Sequence, residues 1–219
     1  MLEKSCVWIL PIPRLEGREA FSVWATVSDR EIPVIAVSTG RPGDRLRFSI
    51  AHELGHLVLH KQLPVKTAAE IENAANRFAA EFLMPADAMR TELATPVSLT
   101  TVARLKPKWG VAMQALIYRA KDLDIISDRQ YRYLFQQLSA RGWRTAEPTN
   151  LNIPIEKPRL ITKMAEVFYG TPILYSKLAS AIHLEESEVR SILANFAQKE
   201  DFNEDTERVG GKVIRFSKR

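Results

Sequence analysis

The sequence predicts an α+β fold: a small antiparallel or mixed β-sheet packed on a pair of helices, followed by a largely helical C-terminal half. Residues 7–38 hold three runs rich in β-branched and aromatic residues, "VWIL", "FSVWATV" and "IPVIAVS", separated by "PIPRLEG" and "SDRE". From Arg45 onward apolar residues recur three and four apart, the helical period. A chain of 219 residues, 46% of them hydrophobic, can bury a real core, which argues against disorder throughout.

After the three strands, "RPGD" breaks the chain, and Asp44 is expected to cap a helix that starts at Arg45. "QLP" closes that helix. Thr67 and Glu70 in "TAAE" have the S/T-x-x-E form of a capping box, opening a second helix that runs to about Leu83. Pro85 ends it and begins another at "PADAMRTEL". From Ser98 to Ala140 the pattern is helical: "LTTVARLKPKWG" is expected to stop at Pro107 and Gly110, and "VAMQALIYRAKDL" and "DRQYRYLFQQLSARG" follow. "EPTNLNIPIEKP", with Pro148, Pro154 and Pro158, reads as a boundary or extended connector. Beyond it "LASAIHLEESEVRSILANFA" is again amphipathic and helical. The acidic run "KEDFNEDTE" then precedes a short edge strand expected at Val213–Phe216. The expected organisation is a core over 1–95, a helical extension packed on it over 96–147, and a Pro-rich joint with a helical region over 148–219.

The formal net charge of +5 is a mild excess that permits contact with nucleic acid or an acidic partner without demanding it. The single cysteine, Cys6, allows no intrachain disulfide and no cysteine-based metal cluster, which points to a reducing cytoplasm; Cys6 itself reads as a small buried hydrophobe. The apolar run Val7–Leu10, broken by Pro11 and Pro13, is too short for a signal segment or a membrane span. The aromatics Trp109, Tyr118, Tyr131, Tyr133, Phe135 and Trp143 sit at helical spacings and read as core and rim rather than base-stacking platforms.

Within "RLRFSIAHELGHLVLH", His52, Glu53 and His56 form H-E-x-x-H. On a helix turning about 100° per residue, positions i and i+4 lie about 40° apart and one turn along, so both imidazoles reach one ion. Glu53, on the adjoining flank, can accept a proton from a water without ligating the metal. The plainer alternative, histidines that merely satisfy one another, fits the surrounding pattern less well. A catalytic Zn²⁺ takes a third protein ligand and keeps an open position. The second helix offers Glu70, Glu72 and Glu81. Glu70 belongs to the cap, and Glu81 lies about 180° round the helix from Glu72. Glu72 shares a face with Asn76, giving a carboxylate ligand with an amide one turn later. The expected ligands are therefore His52, His56 and Glu72, with Glu70 or Glu81 as the substitutes for Glu72. Ligand type also admits Mn²⁺ or Fe²⁺. His60 lies on the face of His56, but a fourth protein ligand would close the site to water, so it reads as a neighbour of the ligands or a surface residue. His183 reads as a helix-end or turn residue.

The stretches "RLRFSIAHELGHLVLH" and "IENAANRFAAEFLMP" resemble the ImmA/IrrE metallopeptidase family, most strongly over Ile32 to Pro85 and more loosely through "LKPKWGVAMQALIYRAKDLDIISDRQYRYLFQQLSARGW". By matching motif positions, the resemblance implies His52, His56 and Glu72 as ligands of one zinc per chain and Glu53 as the general base. It implies a zincin-like metallopeptidase core over 1–95, a cytoplasmic location, and cleavage or inactivation of XRE-type repressors or antitoxins in phage, mobile-element or stress regulation. Many relatives carry an N-terminal XRE-type helix-turn-helix, whereas this chain begins directly in the strand region, as in a short member or a fragment. The competing expectation is a non-proteolytic zinc-containing regulator or toxin–antitoxin component acting by protein or DNA binding. Its support is two candidate helix-turn-helix pairs, "VARLKPKWGVAMQALIYRA" and "LYSKLASAIHLEESEVRSIL", although the three glutamates of the latter face phosphates poorly. Under the peptidase expectation, the strand "IPVIAVS" binds an extended substrate by edge addition.

Overall fold

The computed structural model describes residues 2–13, 15, 19–61, 67–93 and 96–196. Two compact units divide the chain, Met1–Glu156 and Lys157–Arg219. The fold is α+β, as the sequence predicts.

The first unit opens with a 3₁₀ turn, Leu2–Ser5, and three strands: β1 (Trp8–Ile12), β2 (Ala20–Val27) and β3 (Arg30–Ser38). Ser28 and Asp29, both at positive φ, form the two-residue hairpin that joins β2 to β3, a backbone twist that suits antiparallel neighbours. The sheet order is β1-β3-β2, with β1 parallel and β2 antiparallel to the central strand. This placement overturns the expectation that β3 docks substrate. Both of its edges are taken, and among the described residues the unpaired edge on the antiparallel side belongs to β2. Pro33 is tolerated in the central strand because β1 pairing starts only at Val34, so there β3 has a single neighbour.

Helix α1 (Gly43–Leu59) packs on the sheet through Leu46, Leu54 and Leu57, which meet Val7, Ile9, Ile35 and Val37. Each such buried aliphatic side chain is worth about 1.5–3 kcal/mol. Asp44 is not the cap: Pro42 holds that position, and Asp44 is buried in the first turn, ion-paired with Lys106. Helix α2 (Ala68–Leu83) has the full capping box between Thr67 and Glu70. Pro85 then caps α3 (Ala86–Glu92). Helices α4 (Leu99–Trp109), α5 (Met113–Asp122) and α6 (Asp128–Ala140) build a second apolar cluster around Leu105, Leu116, Ile117, Leu134 and Leu138. Pro107 does not stop α4. In the last turn its missing N–H removes one intrahelical bond, and termination falls to Gly110 at φ 64°. Trp109, Tyr131, Phe135 and Trp143 pack against this cluster, while Tyr118 and Tyr133 are exposed.

Cys6 is exposed rather than buried: it follows the 3₁₀ turn at φ 61°, with its N–H bonded to the Glu3 carbonyl, and its side chain does not join the core. The second unit contains α7 (Leu160–Tyr169), α8 (Tyr175–Ile182) and α9 (Glu186–Leu193), with Ala165, Ala179, Val189 and Leu193 buried. The amphipathic stretch expected as helical is two helices, because His183 takes the left-handed conformation and ends α8. The strand expected at Val213–Phe216 lies outside the described residues.

Candidate active site

Helix α1 turns His52 and His56 to one side, one turn apart, and α2 brings Glu72 over them. His52 Nε2 lies 3.2 Å from Glu72 Oε2, His56 Nε2 lies 3.5 Å from Glu72 Oε1, and the two Nε2 atoms are 3.0 Å apart. Ligands about 2.0–2.1 Å from a tetrahedral ion sit about 3.3 Å from one another. The three donor atoms therefore have the spread and the mixed imidazole–carboxylate chemistry that a divalent cation takes, and they are the one such group among the described residues.

Both imidazoles are held by their other nitrogen. His52 Nδ1 is 2.9 Å from Asn76 Oδ1, an acceptor only, so the proton sits on Nδ1 and Nε2 offers its lone pair. Asn76 thus serves His52 rather than the glutamate one turn before it. His56 Nδ1 lies 2.9 Å from His60 Nδ1. For His56 Nε2 to offer a lone pair, its Nδ1–H must donate to His60, which then carries its own proton on Nε2. His60 accordingly orients His56 without converging on the three donors.

Close packing of α1 on α2 makes this convergence possible. A Cβ at Gly55 would meet Ala75 Cα at 3.2 Å and the Phe78 ring at 3.1 Å, so the glycine inside H-E-L-G-H lets the two helices approach. The alternative carboxylates are engaged elsewhere. Glu70 is in its capping box. Glu81 accepts from the Ala86 N–H at 3.1 Å and pairs with Arg119, and these two contacts, in that order, hold its carboxyl below the usual range. His183 lies in the second unit.

Glu53 faces the same cleft from the next position on α1, where Ser22 Oγ of β2 donates to its Oε2 at 2.6 Å. Nothing in the sequence couples Ser22 to Glu53; the contact spans 31 positions and depends on the sheet order. The cleft, about 690 Å³, is walled by β2 through Ala20, Phe21 and Ser22, by α1 through Phe48 and Ser49, and by Glu72 and Asn76 of α2. A strand edge left unpaired by the described residues, a paired imidazole site and an adjacent carboxylate share one groove.

A helix bearing H-E-x-x-H, a glutamate from the following helix and a strand beside them define the class of this protein as a metallopeptidase, a hydrolase. Within that class, residues 16–121 match the family model Peptidase_M78, the IrrE N-terminal-like domain. Residues 16–121 are similar to the domain of this family, in line with the ImmA/IrrE resemblance. No curated protein matches the chain. No helix among the described residues is long and apolar enough to cross a membrane.

Proposed function

We propose that the protein is a zinc-dependent endopeptidase with a regulatory role, in which His52, His56 and Glu72 hold one Zn²⁺ and Glu53 is the general base. The observation that carries this reading is the convergence of three donor atoms beside a carboxylate that is not one of them. When bound, the zinc supplies Lewis-acid polarisation of the scissile carbonyl. Glu53 takes a proton from the attacking water and returns it to the leaving amine, so that water and amide become carboxylic acid and amine. Ser22, by donating to Oε2, holds the carboxylate in place and leaves Oε1 for the proton.

The substrate we propose is an XRE-type repressor or antitoxin, acted on in the cytoplasm. The support is the ImmA/IrrE resemblance, together with a single cysteine that suits a reducing compartment. The test joins metal content to cleavage. Purified wild type is expected to hold about one zinc, and His52→Ala and Glu72→Ala to lose it. Wild type alone should cut an XRE-type protein encoded beside it. Zinc in wild type without cleavage would favour the non-proteolytic regulator; zinc retained by both variants would remove the ligand assignment.

Edge addition passes from β3 to β2. Neighbouring residues in a strand point their N–H groups to opposite sides, so of Ala20→Pro and Phe21→Pro one loses a ladder bond to β3 and the other only a free-edge donor. The second is expected to keep fold and metal while raising KM roughly fivefold to tenfold, the worth of about one hydrogen bond. Unchanged kinetics in both folded variants would exclude docking on β2.

A further inference from the structure

A second cavity, about 810 Å³, lies within the first unit against α1, α2 and α5. It adjoins the cleft described above, since Glu19, Phe48, Ser49 and Asn76 line both. Its size falls in the range of pockets that take a ligand, about 300–1,000 Å³. Its apolar wall is Phe48, Ala80, Met84, Ala112, Ala115 and Tyr118, where three alanines leave space that larger side chains would fill.

The charges around this cavity are unevenly matched. Its carboxylates are each held by a cation: Glu19 by Arg41, Asp44 by Lys106, and Asp122 by Arg119 at 2.7 Å. Arg119 is in turn satisfied by Glu81, Asp122 and the Met84 carbonyl. Arg45 and Arg77 also line the cavity, and neither has a carboxylate partner among the described residues. Arg45 is half-buried and donates to the Arg144 carbonyl, and Arg77 is exposed at the rim, so a carboxylate brought by a ligand would meet two guanidiniums that no carboxylate of the described residues holds.

We propose that this cavity is a specificity pocket for the polypeptide substrate, taking an apolar side chain that is followed or preceded closely by Asp or Glu. The inference builds on the peptidase reading, since the occupant is the part of the substrate that runs on from the scissile bond. The apolar side chain lies against Phe48, Ala80, Ala115 and Tyr118, and the acidic residue meets Arg45 and Arg77 at the rim.

The test is binding of three fluorescein-labelled dodecapeptides to the zinc-loaded Glu53→Gln protein, with mass spectrometry confirming that they stay intact. One carries Leu-Leu-Asp-Glu, one Leu-Leu-Lys-Lys and one Ser-Ser-Asp-Glu, in otherwise identical Gly/Ser sequences. The first is expected to bind at least tenfold more tightly than the other two. Ala115→Trp, which fills the cavity, should abolish the advantage over the Ser-Ser peptide. Arg77→Glu, at an exposed position that leaves the core untouched, should abolish or reverse the advantage over the Lys-Lys peptide. Equal binding of the three peptides, or a preference that survives both variants, would overturn the pocket. Selective binding by a protein whose wild type cuts nothing would keep the pocket and remove the catalytic reading. Wild-type cleavage without selectivity would do the reverse.

Discussion

Glu53→Gln is expected to lower kcat for peptide hydrolysis by about 10²–10⁴-fold, the usual contribution of a positioned general base, while leaving metal content unchanged. The substitution keeps the shape of the side chain and an oxygen that accepts from Ser22 Oγ. It removes the ability to take a proton. Because Glu53 is outside the three converging donors, the metal should remain. In the proposed role, Glu53 acts on the reacting water rather than on the bound peptide, so KM should change little and kcat and kcat/KM should fall together. Single-turnover kinetics beside metal analysis would check this. A fall of less than tenfold, with one metal still bound, would mean that the proton is carried by another group.

Lys106→Ala is expected to destabilise the first unit by about 3–5 kcal/mol, the usual cost of leaving buried charge uncompensated. Lys106 is 2% exposed and pairs with Asp44 of α1 and, at 2.7 Å, with Glu147 beyond α6. It thereby ties the helix that bears the histidines to the helical layer. Without its ammonium, two carboxylates face each other in a low-dielectric interior. For a unit of this size the loss corresponds to a Tm lower by roughly 6–20 °C, measurable by calorimetry. Combining Lys106→Met with Asp44→Asn and Glu147→Gln should recover much of it, since burial of neutral, hydrogen-bonded groups costs far less than burial of bare charge. Equal destabilisation in the combined variant would place the effect in packing instead of charge.

Much of the first unit was legible in the chain because the relevant signals are local. The strand runs, the Thr67–Glu70 box, the Pro85 start of α3 and the left-handed stop at Gly110 are each decided within about one helical turn or one hairpin. The same holds for the donors themselves. Spacing of four on a helix fixes the relation of His52 to His56 and of Glu72 to Asn76, before any tertiary contact forms.

What the sequence determined by itself was therefore the identity of the elements and the faces their chemistry occupies: H-E-x-x-H on one helix, a usable glutamate on the next. Tertiary structure decided which faces meet. Strand alternation tells inside from outside but not which strand is central, so β2 rather than β3 emerged as the edge beside the cleft. Asp44 looked like a cap because its position suited one, yet the buried ammonium of Lys106, 62 positions away, claims it. Ser22 reaches Glu53, and Arg45 and Arg77 share a cavity wall with α5, through the same long-range packing. Side-chain spacing along one helix is set by backbone geometry, whereas contacts across the sheet and between helices arise only when apolar faces are buried together.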